Sequence, residues 1–134
     1  MSKEPKKENK ITSFTDLTTW QKGHELVVEI YETTEEFPKR EVYALTDQIH
    51  RSAVSVTSNI AEGFGRFSYA DRLHFYRMAR GSLTELQNQL LIARDVGYLG
   101  TDKFKALASK TTTVEKLLQG LIRATSDRKD SHTS

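Results

Sequence analysis

Histidine is the residue type here best suited to metal or acid–base chemistry, and its spacing argues against both. The four histidines are His24, His50, His74 and His132. No two lie three or four residues apart, so no single helix can present two imidazoles to one metal ion. There is no Glu-x-x-His motif and no cysteine, which excludes a thiolate metal site and a cysteine nucleophile. We therefore predict a protein that is not an enzyme and has no metal and no cofactor.

A glycine-containing segment, Gly63-Phe-Gly-Arg-Phe-Ser68, resembles a phosphate-binding loop only superficially. It lacks the third glycine and the Gly-Lys-Ser/Thr ending, and no strand pattern precedes it. Glycine commonly ends helices, so we interpret the segment as a turn between two helices. Ser82 follows Gly81 but has no nucleophile-elbow motif around it.

A run of arginines in the middle of the chain is the feature that could bind phosphate. The formal net charge is only +2, so the local distribution matters more than the total. Acidic residues concentrate near the first helix, between residues 25 and 36. The alternative is that these arginines are ordinary surface residues or are used in ion pairs within the chain. The candidate nucleic-acid-binding residues are Arg51, Arg66, Arg72, Arg77 and Arg80.

A stripe of small and polar residues on the second helix is the most informative pattern. Its members are spaced alternately by four and three residues, which places them on one side of a helix beside the apolar stripe. We favour a structural hydrogen-bonded seam against another helix, because a buried polar group without a partner costs roughly 1–3 kcal/mol. A ligand or nucleic-acid surface is the alternative. The stripe consists of Gln48, Ser52, Ser55, Asn59 and Glu62, and Arg66 continues it.

Four amphipathic helices account for most of the chain. Apolar residues recur at three- and four-residue steps, with no sustained alternation typical of strands. We predict helices over residues 16–36, 42–64, 69–96 and 102–125. The connections are short, which favours antiparallel neighbours and an all-α, up-down-up-down four-helix bundle. We expect the bundle to span residues 13–126, with disordered tails over residues 1–12 and 127–134.

Two helices carry more apolar residues than one core stripe needs. On the third helix, Tyr69 and Leu91 widen the apolar face; on the first, Leu26 and Ile30 lie outside the predicted stripe. This excess indicates burial between subunits, although isolated exposed leucines are common. The predicted core stripe of the first helix is Leu17, Trp20, His24, Val28 and Tyr31.

The segment Asn59-Ile-Ala-Glu-Gly-Phe-Gly-Arg66 carries a family resemblance. It is similar to the Asn-Ile-Ala-Glu-Gly-x-x-Arg signature of the four-helix-bundle proteins encoded within intervening sequences of bacterial 23S ribosomal RNA genes. Flanking pieces agree in order and spacing from about residue 14 to 121. They are Trp20-Gln-Lys22, Phe37-Pro38, Gln48 with Arg51, Gly81-Ser82 with Glu85, and Gly97-Tyr98-Leu99.

The resemblance implies properties that spacing alone does not show. Members are similar to the accessory variability protein of diversity-generating retroelements, a homopentamer that associates with a reverse transcriptase and nucleic acid. We therefore expect a cytoplasmic homo-oligomer, a pentamer by resemblance, that binds RNA or DNA and does not enter a membrane. The alternative is a protein-interaction module that recruits a partner enzyme, such as a reverse transcriptase, without touching nucleic acid.

Overall fold

The computed structural model describes residues 10–133, which form four long helices and, within that range, no strand. Short 3-10 turns cover Phe14–Asp16 and Lys39–Glu41. The prediction of an all-helical chain is confirmed. The long helices are α1 (Thr18–Thr34), α2 (Leu45–Phe64), α3 (Tyr69–Asp95) and α4 (Thr101–Thr133).

The helices pack in a closed cycle. α2 contacts α1 and α3, and α4 contacts α3 and α1. Between consecutive helices, residues with higher numbers on one helix meet residues with lower numbers on the next. The pairs that show this are Gly23 with Thr57, Tyr31 with His50, Ser55 with Ser82, Gly63 with Tyr76, Gln87 with Thr111, and Arg94 with Phe104.

One apolar core lies between the four helices. The periodic stripes predicted for the last three helices supply most of it, because those side chains face inward at helical spacing. Tyr76 is 2% exposed, and its ring is the largest side chain in this interior. On α2, α3 and α4 the most deeply buried large aliphatic residues are Ile49, Val56, Ile60, Leu83, Leu86, Leu107, Val114 and Leu118.

The predicted core stripe of the first helix holds only at its start: Leu17 is buried and Trp20 packs against the core, but His24, Val28 and Tyr31 are exposed. Val28 and Tyr31 are 46% and 44% exposed, whereas Leu26 and Ile30 are fully buried. Small and polar residues share the true inner face, so its apolar period is hidden in the sequence. Leu26 and Ile30 therefore give no support to burial between subunits. The buried residues of α1 are Thr19, Gly23, Leu26, Ile30 and Thr34.

A serine marks the beginning of α3 and a glycine follows its end. The Ser68 hydroxyl accepts a hydrogen bond from the backbone N–H of Asp71 at 3.0 Å, which caps the first turn. At the other end Gly97 has φ +87°, the left-handed region that favours glycine. The backbone N–H groups of the next two residues both donate to the Ala93 carbonyl, at 2.9 and 3.1 Å.

The fourth helix continues well past the predicted end at residue 125, so the expected disordered tail is helical over residues 127–133. No proline or glycine follows Gly120 to stop it. His132 Nδ1 lies 2.9 Å from the Arg128 carbonyl oxygen, and its ring lies 5.2 Å from the Tyr69 ring. Residues 1–9 of the expected N-terminal tail lie outside the described residues.

The two ends of the bundle differ in the segments that they contain and in the contacts of those segments. At the connection end, which comprises residues 37–44 and 96–100, the Tyr98 hydroxyl donates to the Glu41 carboxylate at 3.0 Å. The guanidinium of Arg40 also lies 5.9 Å from the centre of the Tyr98 ring. At the turn end, residues 65–68 join α2 to α3. Ile11, Tyr69 and Arg128 line one groove of about 400 Å³ there, so the first described residues and the end of α4 lie at this end.

The glycine of the sequence signature, Gly63, sets how closely α2 approaches α3. A Cβ placed on it would lie 2.7 and 2.9 Å from Tyr76 ring atoms and 3.0 Å from the Phe75 Cβ. We expect Gly63→Ala to lower the free energy of unfolding by about 1–3 kcal/mol through overpacking, measured by urea denaturation.

Gly81→Ala is the matched control, because it is also helical but a Cβ there meets nothing within 4 Å. It should be stabilising by up to about 1 kcal/mol through reduced backbone entropy of the unfolded chain. Equal effects of the two substitutions would contradict the steric explanation.

Candidate nucleic-acid interface

The centre of the polar stripe on α2 is a hydrogen-bonded seam against α3. Ser52 is only 5% exposed. The Ser55 hydroxyl lies 2.7 Å from the Ser82 hydroxyl of α3. The Asn59 side-chain amide donates to the Ser55 carbonyl at 2.9 Å and to its hydroxyl oxygen at 3.0 Å. Ser55 and Asn59 thus have hydrogen-bond partners within the protein, while Ser52 and Ser55 also line an open cleft of about 470 Å³.

The outer members of the stripe are exposed. Gln48 faces solvent, and Glu62 forms an ion pair with Arg66 at 2.7 Å. On α3, Ser82 contacts Ser55, and Gln89 lies beside Ser52 and Ser55. Neither residue was predicted to belong to the seam. Gln89 is 7% exposed, and its Oε1 has no hydrogen-bond partner within residues 10–133. Their helical spacing of seven was the signal that could have identified both.

Three of the five predicted arginines already have partners. Arg51 pairs with Asp47 at 2.9 Å. The Arg66 guanidinium, besides its pair with Glu62, lies 4.5 Å from the centre of the Phe75 ring. Arg72 Nε donates to the Arg66 carbonyl at 2.8 Å. The five arginines therefore do not form one uniform basic surface.

Arg77 and Arg80 are different. Both are exposed on α3, and within the described part of the chain neither guanidinium forms an ion pair. A spacing of three places them on neighbouring positions of one helix face. They are the two predicted arginines whose side chains form no ion pair, hydrogen bond or ring contact within residues 10–133.

Charge on the other side of the molecule has the opposite sign. A groove of about 640 Å³ between α1 and α4 is lined by four glutamates and by Lys103 and Lys110. Lys110 contacts Glu29 across this groove. Phosphate would be repelled from this surface and would favour the α3 side. The four glutamates are Glu25, Glu29, Glu32 and Glu36.

Two of the shifted side-chain pKa values belong to packing residues, and the other two belong to the surface ion pair of Arg94 and Asp95, whose hydrogen bond lowers the pKa of Asp95. Burial raises the pKa of the Tyr76 hydroxyl, and the positive charge of Arg72 partly offsets this rise. Burial lowers the pKa of His50, and Asp47 partly opposes it. In residues 10–133 no three His, Asp or Glu side chains are grouped to hold a metal ion, and no helix is both long and apolar enough to cross a bilayer.

Two aromatic side chains escape the core entirely. Phe67, in the turn between α2 and α3, is 102% exposed, and Tyr43, at the connection end, is 94% exposed. Neither residue was predicted to be exposed or functional. Both lie between helices, outside any apolar period, and that position could have indicated their exposure.

A protein family and a solved structure are similar to this chain. A family model described as 23S rRNA-intervening sequence protein matches residues 15–120. A crystal structure from Bacteroides thetaiotaomicron VPI-5482 is similar, with a TM-score of 0.73 and 23% identity, covering 78% of this chain and 95% of that chain. It is described as a protein with unknown function from the S23 ribosomal protein family, and at this identity it shows the fold alone. No curated protein matches the chain.

The seam generates a stability prediction at Asn59. Asn59→Ala removes both side-chain hydrogen bonds to Ser55, so the free energy of unfolding should fall by about 1 kcal/mol and the melting temperature with it. Calorimetry measures both. Ser58→Ala, at the exposed neighbouring position of α2, corrects for the gain in helix propensity. A melting temperature as high as that of the control would show that these hydrogen bonds contribute nothing to folding.

Proposed function

The chain belongs to the 23S rRNA-intervening sequence protein family, and from this premise we propose that it is a non-enzymatic, homo-oligomeric accessory protein that binds RNA or DNA. The resemblance first indicated by residues 59–66 is confirmed at the level of the family. The role itself rests on how the exposed charge is arranged. We place its action in the cytoplasm.

The scaffold of this proposal is an antiparallel up-down-up-down bundle. The contacts of Gly63 with Tyr76 and of Ser55 with Ser82 support opposite directions for α2 and α3, because the higher number on α2 meets the lower number on α3. The short connections between consecutive helices support the same arrangement. In such a bundle the outward face of each helix is available for binding.

The observation that carries nucleic-acid binding is the pair of unneutralised guanidinium groups on α3. Arg77 and Arg80 are exposed side by side, while the acidic surface lies on α1. Arginine presents a planar set of five N–H donors that matches phosphate oxygens. Binding by such a surface should be weakly sequence-specific and should weaken with salt as counterions are released.

Self-association would multiply this modest charge. Each copy of the chain repeats the same arginine pair, so a ring of subunits would carry a larger basic surface. Exposed apolar residues on α3 support a subunit contact, since such surface favours burial. They are Met78, Leu91 and Ile92, which are 44%, 40% and 42% exposed. The number five rests on the family resemblance.

The same apolar residues favour a second candidate function. The exposed Met78 and Ile92 lie within about 40° of each other on α3, at about 100° per residue. An exposed apolar helix face of this kind fits a protein partner, because it can bind an apolar groove or helix. In that case the chain would recruit a partner enzyme, such as a reverse transcriptase, without contacting nucleic acid.

Reversal of the two free charges tests the nucleic-acid role. The double variant Arg77→Glu/Arg80→Glu should lose at least about tenfold in affinity for structured RNA and duplex DNA at low salt, and its slope of log Kd against log salt should become shallower. Fluorescence anisotropy across a salt series measures both quantities.

Lys105→Glu/Lys116→Glu is the control, because it changes the net charge equally at exposed positions of α4. Both variants must keep the helical content and oligomeric state of the natural chain. Equal losses in the two variants would show that total charge, and not the α3 surface, determines binding. Affinities equal to that of the natural chain in the α3 variant would overturn the assignment.

Sedimentation equilibrium tests the oligomer. At micromolar concentration we expect a mass several times that of the 15.3 kDa chain. Leu91→Gln/Ile92→Gln should shift the equilibrium toward monomer, because it removes apolar surface that the subunits would bury. A single species of 15.3 kDa for the natural chain would rule out self-association.

A further inference from the structure

The exposed phenylalanine of the turn, Phe67, is not explained by folding. Its side chain is 102% exposed, and so contributes no burial to the core. Burying such a side chain is worth roughly 1.5–3 kcal/mol, so a partner that covers this ring would gain that contribution. Tyr43 is similarly exposed, but it lies at the opposite end of α2, roughly 30 Å away at 1.5 Å per residue.

The backbone on both sides of Phe67 is held firmly. The Arg66 N–H donates to the Gly63 carbonyl at 3.2 Å, and the Gly65 N–H donates to the Glu62 carbonyl at 3.2 Å. On the other side, Ser68 caps α3. The ring is therefore presented from a short, hydrogen-bonded turn, which lowers the ordering cost of binding.

Cationic groups flank the ring. The Arg66 guanidinium is oriented by Glu62 and by the face of Phe75. Arg72 is tied to the same turn through its 2.8 Å hydrogen bond to the Arg66 carbonyl. An open cleft of about 610 Å³ next to Phe67 is lined in part by Arg66, Ser58 and Ser68, and also by the carboxylates of Glu62 and Asp71. An aromatic platform, adjacent arginines and an open cleft are thus brought together at one point.

We propose that Phe67 is a stacking platform for an unpaired base of single-stranded RNA or DNA, and that Arg66 and Arg72 contact the neighbouring phosphates. This assignment rests on the proposed function and names the form of nucleic acid that the turn end recognises. Aromatic side chains flanked by positive charge bind single strands in this way, largely without regard to sequence, because every base has a π-face.

Duplex fits this turn less well than a single strand. The bases of a duplex are already stacked and paired, so a ring at the tip of a turn could reach one only by unstacking it, which costs a few kcal/mol. The Arg77 and Arg80 surface, in contrast, can contact the phosphates of either form. The two surfaces therefore make separable predictions.

The test compares Phe67→Ala with Tyr43→Ala. Labelled 20-nucleotide oligo(dT) and oligo(rU) and a mixed-sequence 20-base-pair duplex serve as probes in anisotropy titrations at low salt. Phe67→Ala should weaken single-strand binding by about tenfold, within the range measured for loss of one stacked base. Its duplex affinity should stay within about twofold of the natural chain, and Tyr43→Ala should change neither.

Phe67→Trp supplies a readout other than affinity. It should keep single-strand binding, and its added fluorescence should be quenched when oligo(dT) binds, because stacking on a base quenches indole emission. Absence of quenching while the oligonucleotide is bound would overturn the stacking assignment.

The outcomes distinguish this inference from the proposed function. Single-strand affinities equal in Phe67→Ala and Tyr43→Ala, with binding still sensitive to Arg77→Glu/Arg80→Glu, would overturn only the stacking platform. A natural chain that binds no probe would overturn both. If Phe67→Ala dissociates the oligomer in sedimentation, the ring is a contact between copies of the chain and the platform assignment is wrong.

Discussion

The close approach of α2 to α3 at Gly63 is the constraint on which the rest of the structure depends. The Tyr76 ring occupies the place that a Cβ at this position would take. Two turns earlier on α2, the hydroxyls of Ser55 and Ser82 meet at 2.7 Å, so small residues keep the helices close along their length. Because α2 and α3 are held in this register, the centre of the polar stripe, from Ser52 to Asn59, lies against α3, and the opposite face of α3 turns outward. The signature glycine is thus explained by sterics, without any reference to a ligand.

Whether each of the predicted arginines forms an ion pair depends on whether an acidic residue lies one helical turn before it. Arg51 and Arg66 each follow an acidic residue by four positions, which is the spacing of a helical ion pair, and both are paired in the structure. Arg77 and Arg80 have no acid at the corresponding position, since Leu73 and Tyr76 occupy it as core residues. The demand for apolar residues on the inner face of α3 therefore leaves these two charges without a partner. In this sense packing determines where the molecule can meet phosphate.

Much of the fold could be predicted from the sequence because three of the helices carry strong apolar periods between clear stop signals, such as Ser68 and Gly97. The first helix could not be read correctly, since Gly23 and two threonines lie on its inner face and hide the period, so that exposed Val28 was assigned to the core. The seam was predicted from spacing, but its partner Ser82 was not, because a contact across 27 residues has no local pattern. Whether each arginine is paired depends on neighbours in the folded structure as well as in the sequence. Phe67 lies in a turn, where helical periodicity predicts nothing about exposure.

The arrangement of the chain ends has a practical consequence for how this molecule can be handled. Ile11 and Arg128 line the same groove at the turn end together with Tyr69. Tyr69 follows Phe67 by two residues in the sequence. A tag that follows the end of α4 would therefore begin near the proposed platform, where it would shield the ring or add charge beside it. Neither end of the described range, residues 10–133, lies at the connection end, and the chain has no cysteine. A single thiol introduced at the exposed position of Tyr43 would be the unique attachment point for a dye or a surface, and it would leave the opposite end facing solution.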